Sequence, residues 1–163
     1  MAEAEELDVW ELLRRDKAFI MRDVSFSDFK RGLEEKFGLG AEIIFYEVGK
    51  TCGKRSYQRL AKHYSGREAL IQAMAKHKAN ERWGRIEVEV DWLRGSGSIR
   101  IYSCFESRAY GPSEKPVCHF IRGFLEAFLS EAYGKPLHLT EVACIAEGNP
   151  YCHFRVEEAK KTA

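Results

Sequence analysis

Cys118, Cys144 and Cys152 are the side chains of this sequence best suited to chemistry. Cys144 and Cys152 stand symmetrically about Gly148, inside a Glu147-Gly-Asn-Pro150 stretch whose residue types favour a turn. If the flanking segments pair as a hairpin, opposed Cβ atoms lie about 4.5–5.5 Å apart. Two thiols so placed can grip one tetrahedral metal ion. Cys118 follows Pro116 at the start of an amphipathic stretch, where free backbone N–H groups and the helix dipole favour a thiolate. Glu141 lies just upstream of Cys144, so three sulfurs and a carboxylate can converge, and thiolates select zinc or another soft metal over calcium or magnesium. Glu141 and Cys144 are an odd number of residues apart, which in a regular strand sets them on opposite faces. Glu141 therefore joins the group only if a bulge or irregular entry re-aims it. His119, His138 and His153 are alternative fourth ligands. A plain core role for each cysteine and a Cys144–Cys152 disulfide, disfavoured in a reducing compartment, are the competing readings.

The elements that must position these residues follow from periodicity. Trp10–Asp16 reads as a short helix or lead-in, and Ser25–Phe37 as a helix capped at Ser25 or Ser27 and ended by Gly38 and Gly40. Ala41–His63 is a longer helix with Ile44, Val48, Cys52, Ser56 and Leu60 along one stripe. Gly49 and Gly53 lie beside that stripe; a helical Gly costs up to about 1 kcal/mol against Ala, so the pair points to tight helix packing. Gly66–Ala79 carries Ala69, Leu70, Ala73, Met74 and His77 on one side. Arg85–Trp92 then alternates, with Ile86, Val88, Val90 and Trp92 facing one way; Arg94–Ser98 is a turn and Ile99–Glu106 a partner strand. After Pro116, Val117, Phe120, Ile121, Phe124, Leu125, Phe128, Leu129 and Ala132 make a core helix ended by Gly134. Leu137–Ala146 and Tyr151–Val156 form a second hairpin. Helices, hairpin, helix, hairpin is an α+β arrangement with a mainly antiparallel sheet and packed helices.

The chain has 163 residues, 45% of them hydrophobic, the length of one globular domain. Lysine plus arginine (26) against aspartate plus glutamate (25) argues against direct nucleic-acid binding, which needs a concentrated basic excess. The basic stretch Lys50–Lys62 reads as a solvated helix face. The longest apolar run, Val142–Ala146, is far short of the roughly 20 residues that span a bilayer. Met1–Asp8 is acidic and unlike a signal peptide, so a soluble, cytoplasmic protein with reduced cysteines is expected; both charge-rich ends, Met1–Asp8 and Glu157–Ala163, are expected to fray. Gly95-Ser-Gly97 reads as a hairpin turn rather than a dinucleotide fingerprint, and no serine stands in a nucleophile-elbow context.

Pro116-Val-Cys-His-Phe-Ile-Arg-Gly123, Glu141-Val-Ala-Cys144 and Gly148-Asn-Pro-Tyr-Cys152-His-Phe154 together resemble the C-terminal signature of the 4-vinyl reductase domain family, and Ser103-Cys-Phe-Glu106 resembles that family's strand before the signature helix. The resemblance is specific over Arg85–Val156 and compatible from Ala41 onward, so one domain over 1–163 is expected, with residues 1–37 as a helical lead-in and 41–156 as the family-like core. It implies the nitric-oxide-signalling and Golgi-transport ligand-binding fold, which commonly pairs as a homodimer. In the family's phenol-responsive sensor branch, zinc is held by three cysteines and a glutamate, which fall here on Cys118, Glu141, Cys144 and Cys152. The implied role is structural: four protein ligands close the coordination sphere and leave no place for a catalytic water.

The sensor branch also binds an aromatic effector in a buried cavity. Trp92, Tyr102, Phe105, Tyr110 and Phe120 could line such a space here, with His63 or His77 as polar partners, next to the Val117–Ala132 helix and the sheet. A phenol specificity does not follow, because the loop Arg108–Lys115 differs from that branch. The expectation is a small-molecule-binding, sensor-like protein with a structural zinc site and an apolar ligand. The rivals are a reductase or accessory protein acting on a tetrapyrrole vinyl group, and a dimeric scaffold similar to vesicle-tethering subunits.

Overall fold

The computed structural model describes residues 9–160. Helices α1 (Val9–Arg14), α2 (Asp23–Phe37), α3 (Leu39–Leu60) and α4 (Arg67–Asn80) precede strands β1 (Arg85–Asp91) and β2 (Ser96–Tyr102). The four-residue α5 (Phe105–Arg108) and helix α6 (His119–Tyr133) follow, then β3 (Leu137–Ala143), a 3-10 turn at Ile145–Glu147, and β4 (Cys152–Glu158). The strands form one antiparallel sheet in the order β1-β2-β4-β3, so the α+β expectation holds. Among the described residues no helix is long and apolar enough to cross a membrane.

Helix α6 is apolar on all sides, and the packing explains why. It lies between the sheet and α3, and Ile121, Phe124, Leu125, Phe128 and Leu129 are almost fully buried. Its contact with α3 is backbone against backbone. A Cβ on Gly49 would collide with the Phe120 carbonyl oxygen, one on Gly53 with that of Phe124, and one on Gly123 with that of Tyr46. The glycines of α3 thus serve tight packing, as expected. The stripe beside them differs from its expectation: Ala41, Phe45, Gly49, Gly53, Ser56 and Leu60 face inward. Ile44 and Val48 are about half exposed, because the face with least side-chain bulk is the one that can meet α6.

Other boundaries also move. Helix α2 begins at Asp23 with Arg22 at the cap position; its Ser27 is buried, and neither Ser25 nor Ser27 caps it. Helix α3 ends at Leu60, short of His63. Strand β2 stops at Tyr102, because Ser103 takes a positive φ of 56° and the chain turns into α5 where the strand was expected to run on to Glu106. Glu157 and Glu158 belong to β4, and the remaining expected frayed ends, 1–8 and 161–163, lie outside the described residues.

Candidate functional site

Three elements bring the sulfur cluster together. Cys118 occupies the N-cap of α6, Cys144 sits just beyond β3, and Cys152 opens β4; all three are fully buried. Strand parity is resolved by a register shift between Glu141 and Ala143. Leu137, Leu139 and Glu141 pair with alternate residues of β4 on the inner face of the sheet. The irregularity at Val142, which is 46% exposed, moves the next inward position from 143 to 144. The bulge re-aims Cys144, while Glu141 keeps the regular inward direction.

One ligand atom from each of Cys118, Glu141, Cys144 and Cys152 lies within 4.8 Å of the others. The Cys118 sulfur is 3.5 Å from that of Cys152 and 3.8 Å from that of Cys144, and the Cys144 and Cys152 sulfurs are 3.9 Å apart. Two sulfurs bonded at about 2.3 Å to one tetrahedral ion are about 3.8 Å from each other, so the spacing matches such a centre. All five cysteines are free thiols, which removes the Cys144–Cys152 disulfide reading for this conformation. The Glu141 carboxylate accepts the Cys118 backbone N–H on Oε2 at 3.0 Å, and its Oε1 is buried with no hydrogen-bond partner. Burial, then the nearby Cys144 sulfur, push the Glu141 carboxyl up to about 9. An orphaned carboxylate oxygen among three sulfurs is the donor set a soft cation requires, so the cluster can hold a metal ion.

Two groups absent from the sequence reading of the site surround it. Cys104, fully buried, brings its sulfur to 3.8 Å from that of Cys118, and the Ser107 hydroxyl lies 3.2 Å from the Cys152 sulfur. The Ile145 backbone N–H donates to the same Cys152 sulfur at 3.4 Å. The thiolate expected at the start of α6 is not favoured: burial, reinforced by the neighbouring sulfurs, pushes the Cys118 thiol up. Glu106 is the other addition. Its fully buried carboxylate accepts the backbone N–H groups of Phe120 and Ile121 at 3.0 and 2.9 Å, and pairs with buried Lys30 at 3.0 Å. Helix α6 is thus seated by two carboxylates, Glu141 at the N-cap and Glu106 one turn in. No sequence pattern marks Glu106, whose partner Lys30 lies 76 residues away.

The three histidines lie elsewhere. His119 lies 3.7 Å from Glu42, His138 lies 3.4 Å from Glu126, and His153 pairs with Ala143 and Arg100 in the sheet, one residue out of phase with inward-facing Cys152.

The proposed pocket residues do not share one space. Trp92 rests against Tyr133 and Arg67, and Tyr102 against Tyr151 and Arg85. Tyr110 donates to Glu34 at 2.5 Å; His63 is exposed, and His77 is buried in α4. Phe105 and Phe120 pack with Trp83 and Phe26 in an aromatic group. Phe120 also lines a cleft of about 230 Å³, shared with Cys52, Arg55, Ser56, Arg59, Lys78, Glu81, Trp83 and Phe124. That cleft opens among α3, α4 and α6, not between α6 and the sheet.

Comparison with known proteins agrees with this geometry. The chain is 27% identical over 143 residues to an uncharacterized protein of Methanocaldococcus jannaschii, covering 83% of this chain and 78% of that one. The phenol-responsive sensory domain of the transcription activator PoxR, solved with phenol, superposes with a TM-score of 0.75 at 18% identity, over 86% of this chain and 76% of that domain. A vinyl-4-reductase family protein of M. jannaschii superposes with a TM-score of 0.64 at 22% identity, over 98% and 99%. An H-NOX protein from S. oneidensis gives 0.58 at 11% identity, over 93% and 89%, which places the fold with the nitric-oxide-signalling proteins. Residues 98–158, the stretch that contains every member of the sulfur cluster, match the 4-vinyl reductase domain model, and over that stretch the chain belongs to the 4-vinyl reductase domain family.

Proposed function

We propose that the chain is a small-molecule-binding, sensor-like protein whose last hairpin is fastened to helix α6 by a structural zinc ion on Cys118, Glu141, Cys144 and Cys152. The observation that carries the reading is the convergence of those four donors, from three separate elements, within 4.8 Å. Three thiolates favour zinc over hard cations, and four protein donors leave no open coordination position for a reacting water. The ion would supply cross-linking and charge neutralisation. The residues do the rest: Glu141 holds the Cys118 backbone N–H, and Ser107 and Ile145 orient the Cys152 sulfur. The likeness to a sensory domain solved with phenol supports a small-molecule effector.

Pairing with a second copy belongs to the same reading. Leu39, Ile43, Ile44 and Val48 form an exposed apolar row on the outer face of α3, and burying it against its own copy is the isologous solution a twofold dimer uses. Elemental analysis of freshly purified, thiol-reduced protein tests the metal: about one zinc per chain is expected, and less than about half overturns the site. Light scattering that gives the mass of one chain overturns the pairing.

A further inference from the structure

The cleft among α3, α4 and α6 is chemically two-sided. One wall is aromatic, built from Trp83 with Phe120 and Phe124 of α6. The other is cationic: Arg55 and Arg59 of α3 and Lys78 of α4 face a single acidic residue, Glu81. Glu81 is engaged by Lys78, whose ammonium lies 2.5 Å from its carboxylate and 3.9 Å from the Trp83 ring centre. Lys78 is 5% exposed, an unusual burial for an ammonium with one carboxylate partner. Two polar groups of the same wall have no partner. The Ser56 hydroxyl, on a residue 7% exposed, and the Arg59 Nε–H are both buried without a hydrogen bond. Buried donors are normally satisfied, and here both sit where a ligand can reach them.

We propose that this cleft binds a planar aromatic carboxylate, with its ring against Trp83, Phe120 and Phe124 and its carboxylate on Ser56, Arg59 and Lys78. The proposal deepens the small-molecule reading above and rests on it. The groups fit that class: guanidinium and hydroxyl donors match a carboxylate, and a ring stacked on Trp83 extends an aromatic face already in place. A volume of about 230 Å³ is below the roughly 300–1,000 Å³ of drug-sized sites, which limits the body to one or two fused rings. The excess of cations over the one acidic residue selects against a neutral ligand of the same shape. The cleft shares none of its lining with the sulfur cluster, so recognition and metal content are separable.

Isothermal titration of the full-length, metal-replete protein with 1-naphthoate and with its neutral counterpart 1-naphthalenemethanol is the test. Saturable one-to-one binding of the carboxylate is expected, with at least tenfold weaker binding of the alcohol. Arg59→Gln should raise the Kd for 1-naphthoate at least tenfold with zinc content and circular dichroism unchanged. Ser56→Ala, a smaller change that leaves every charge in place, should raise it by a factor of several. Equal binding of alcohol and carboxylate, or unaltered binding in both variants, overturns the anionic assignment and leaves the small-molecule reading standing. Failure of both compounds overturns this proposal as well. The broader reading then stands or falls separately, on whether a neutral aromatic such as phenol binds the same preparation.

Discussion

Glu106 joins three parts of the chain through one carboxylate. It neutralises Lys30 from α2 and accepts two backbone N–H groups in the first turn of α6, all out of contact with water. Burial raises its pKa, while Lys30 and the two N–H groups oppose that rise. Removing one partner of a buried pair leaves the other charge uncompensated, at a cost of about 3–5 kcal/mol. Glu106→Ala should therefore lower the urea-unfolding free energy by about that much, and adding Lys30→Met should recover part of the loss; equal stability of the single and double variants would show that the pair is not coupled. His119, one residue on from Cys118, gives a pH signature. Burial, then the Lys30 charge, hold its pKa at about 4, against 6.5 in the unfolded chain. As pH falls, the unfolded chain takes up this proton first, so the contribution is fully present at neutral pH, declines below pH 6.5 and goes on declining to about pH 4. The stability difference between the wild type and His119→Gln, followed by chemical denaturation across that window, should shrink with acidification; a difference independent of pH would refute the depressed pKa.

At the scale of elements, the α3–α6 contact rests on absent side chains. Gly53 and Gly49 each set a bare Cα against an α6 carbonyl, and Gly123 does the same toward α3. On a free helix, Gly→Ala stabilises by up to about 1 kcal/mol. Here the added methyl meets backbone on both sides of the interface, and overpacking of this kind costs typically about 1–3 kcal/mol. Gly53→Ala should lower stability, the reverse of the helix-propensity expectation. Because Phe124 lies both on this contact and on the cleft wall, the same variant should disturb the cleft. A raised thermal midpoint in Gly53→Ala would contradict the close approach. Gly32, on the exposed surface of α2, has nothing within 4 Å of its would-be Cβ, and Gly32→Ala is the matched control, expected to stabilise.

For the whole molecule, the sulfur cluster closes the C-terminal third on itself: α6, β3 and β4 meet there, and α5 touches it through Ser107. A ligand that binds only the folded chain stabilises it by about 4 kcal/mol at a thousandfold excess over its Kd, which for a chain of this size is about 8–16 °C at 2–4 °C per kcal/mol. Chelation should therefore lower the calorimetric midpoint by that order, added zinc should restore it, and Cys152→Ser should be insensitive to both. An unchanged midpoint after verified metal removal would show that the cluster does not fasten the fold.

The local readings in the sequence depended on local physics. Alternation over Arg85–Asp91, the heptad-like apolar run of α6 and the Gly-Asn-Pro turn before Cys152 each express a preference that one stretch of chain settles with its own neighbours. The resemblance around Pro116–Gly123 and Glu141–Phe154 pointed to Cys118, Glu141, Cys144 and Cys152, which the fold brings into one group. Other features depended on groups that meet only after folding. A one-residue irregularity at Val142 decides which way Cys144 faces, and it exists because β4 sets the pairing. The inward face of α3 is the small-residue face and not the Ile44–Val48 row, because α6 can approach only bare backbone. Glu106 and Lys30, and Ser56 with Lys78 and Trp83, come together from distant positions in the chain. Residue type and spacing determined the elements and the metal-binding chemistry; tertiary contact decided the cleft and its charge, since burial and pairing are properties of neighbours the chain meets only when folded.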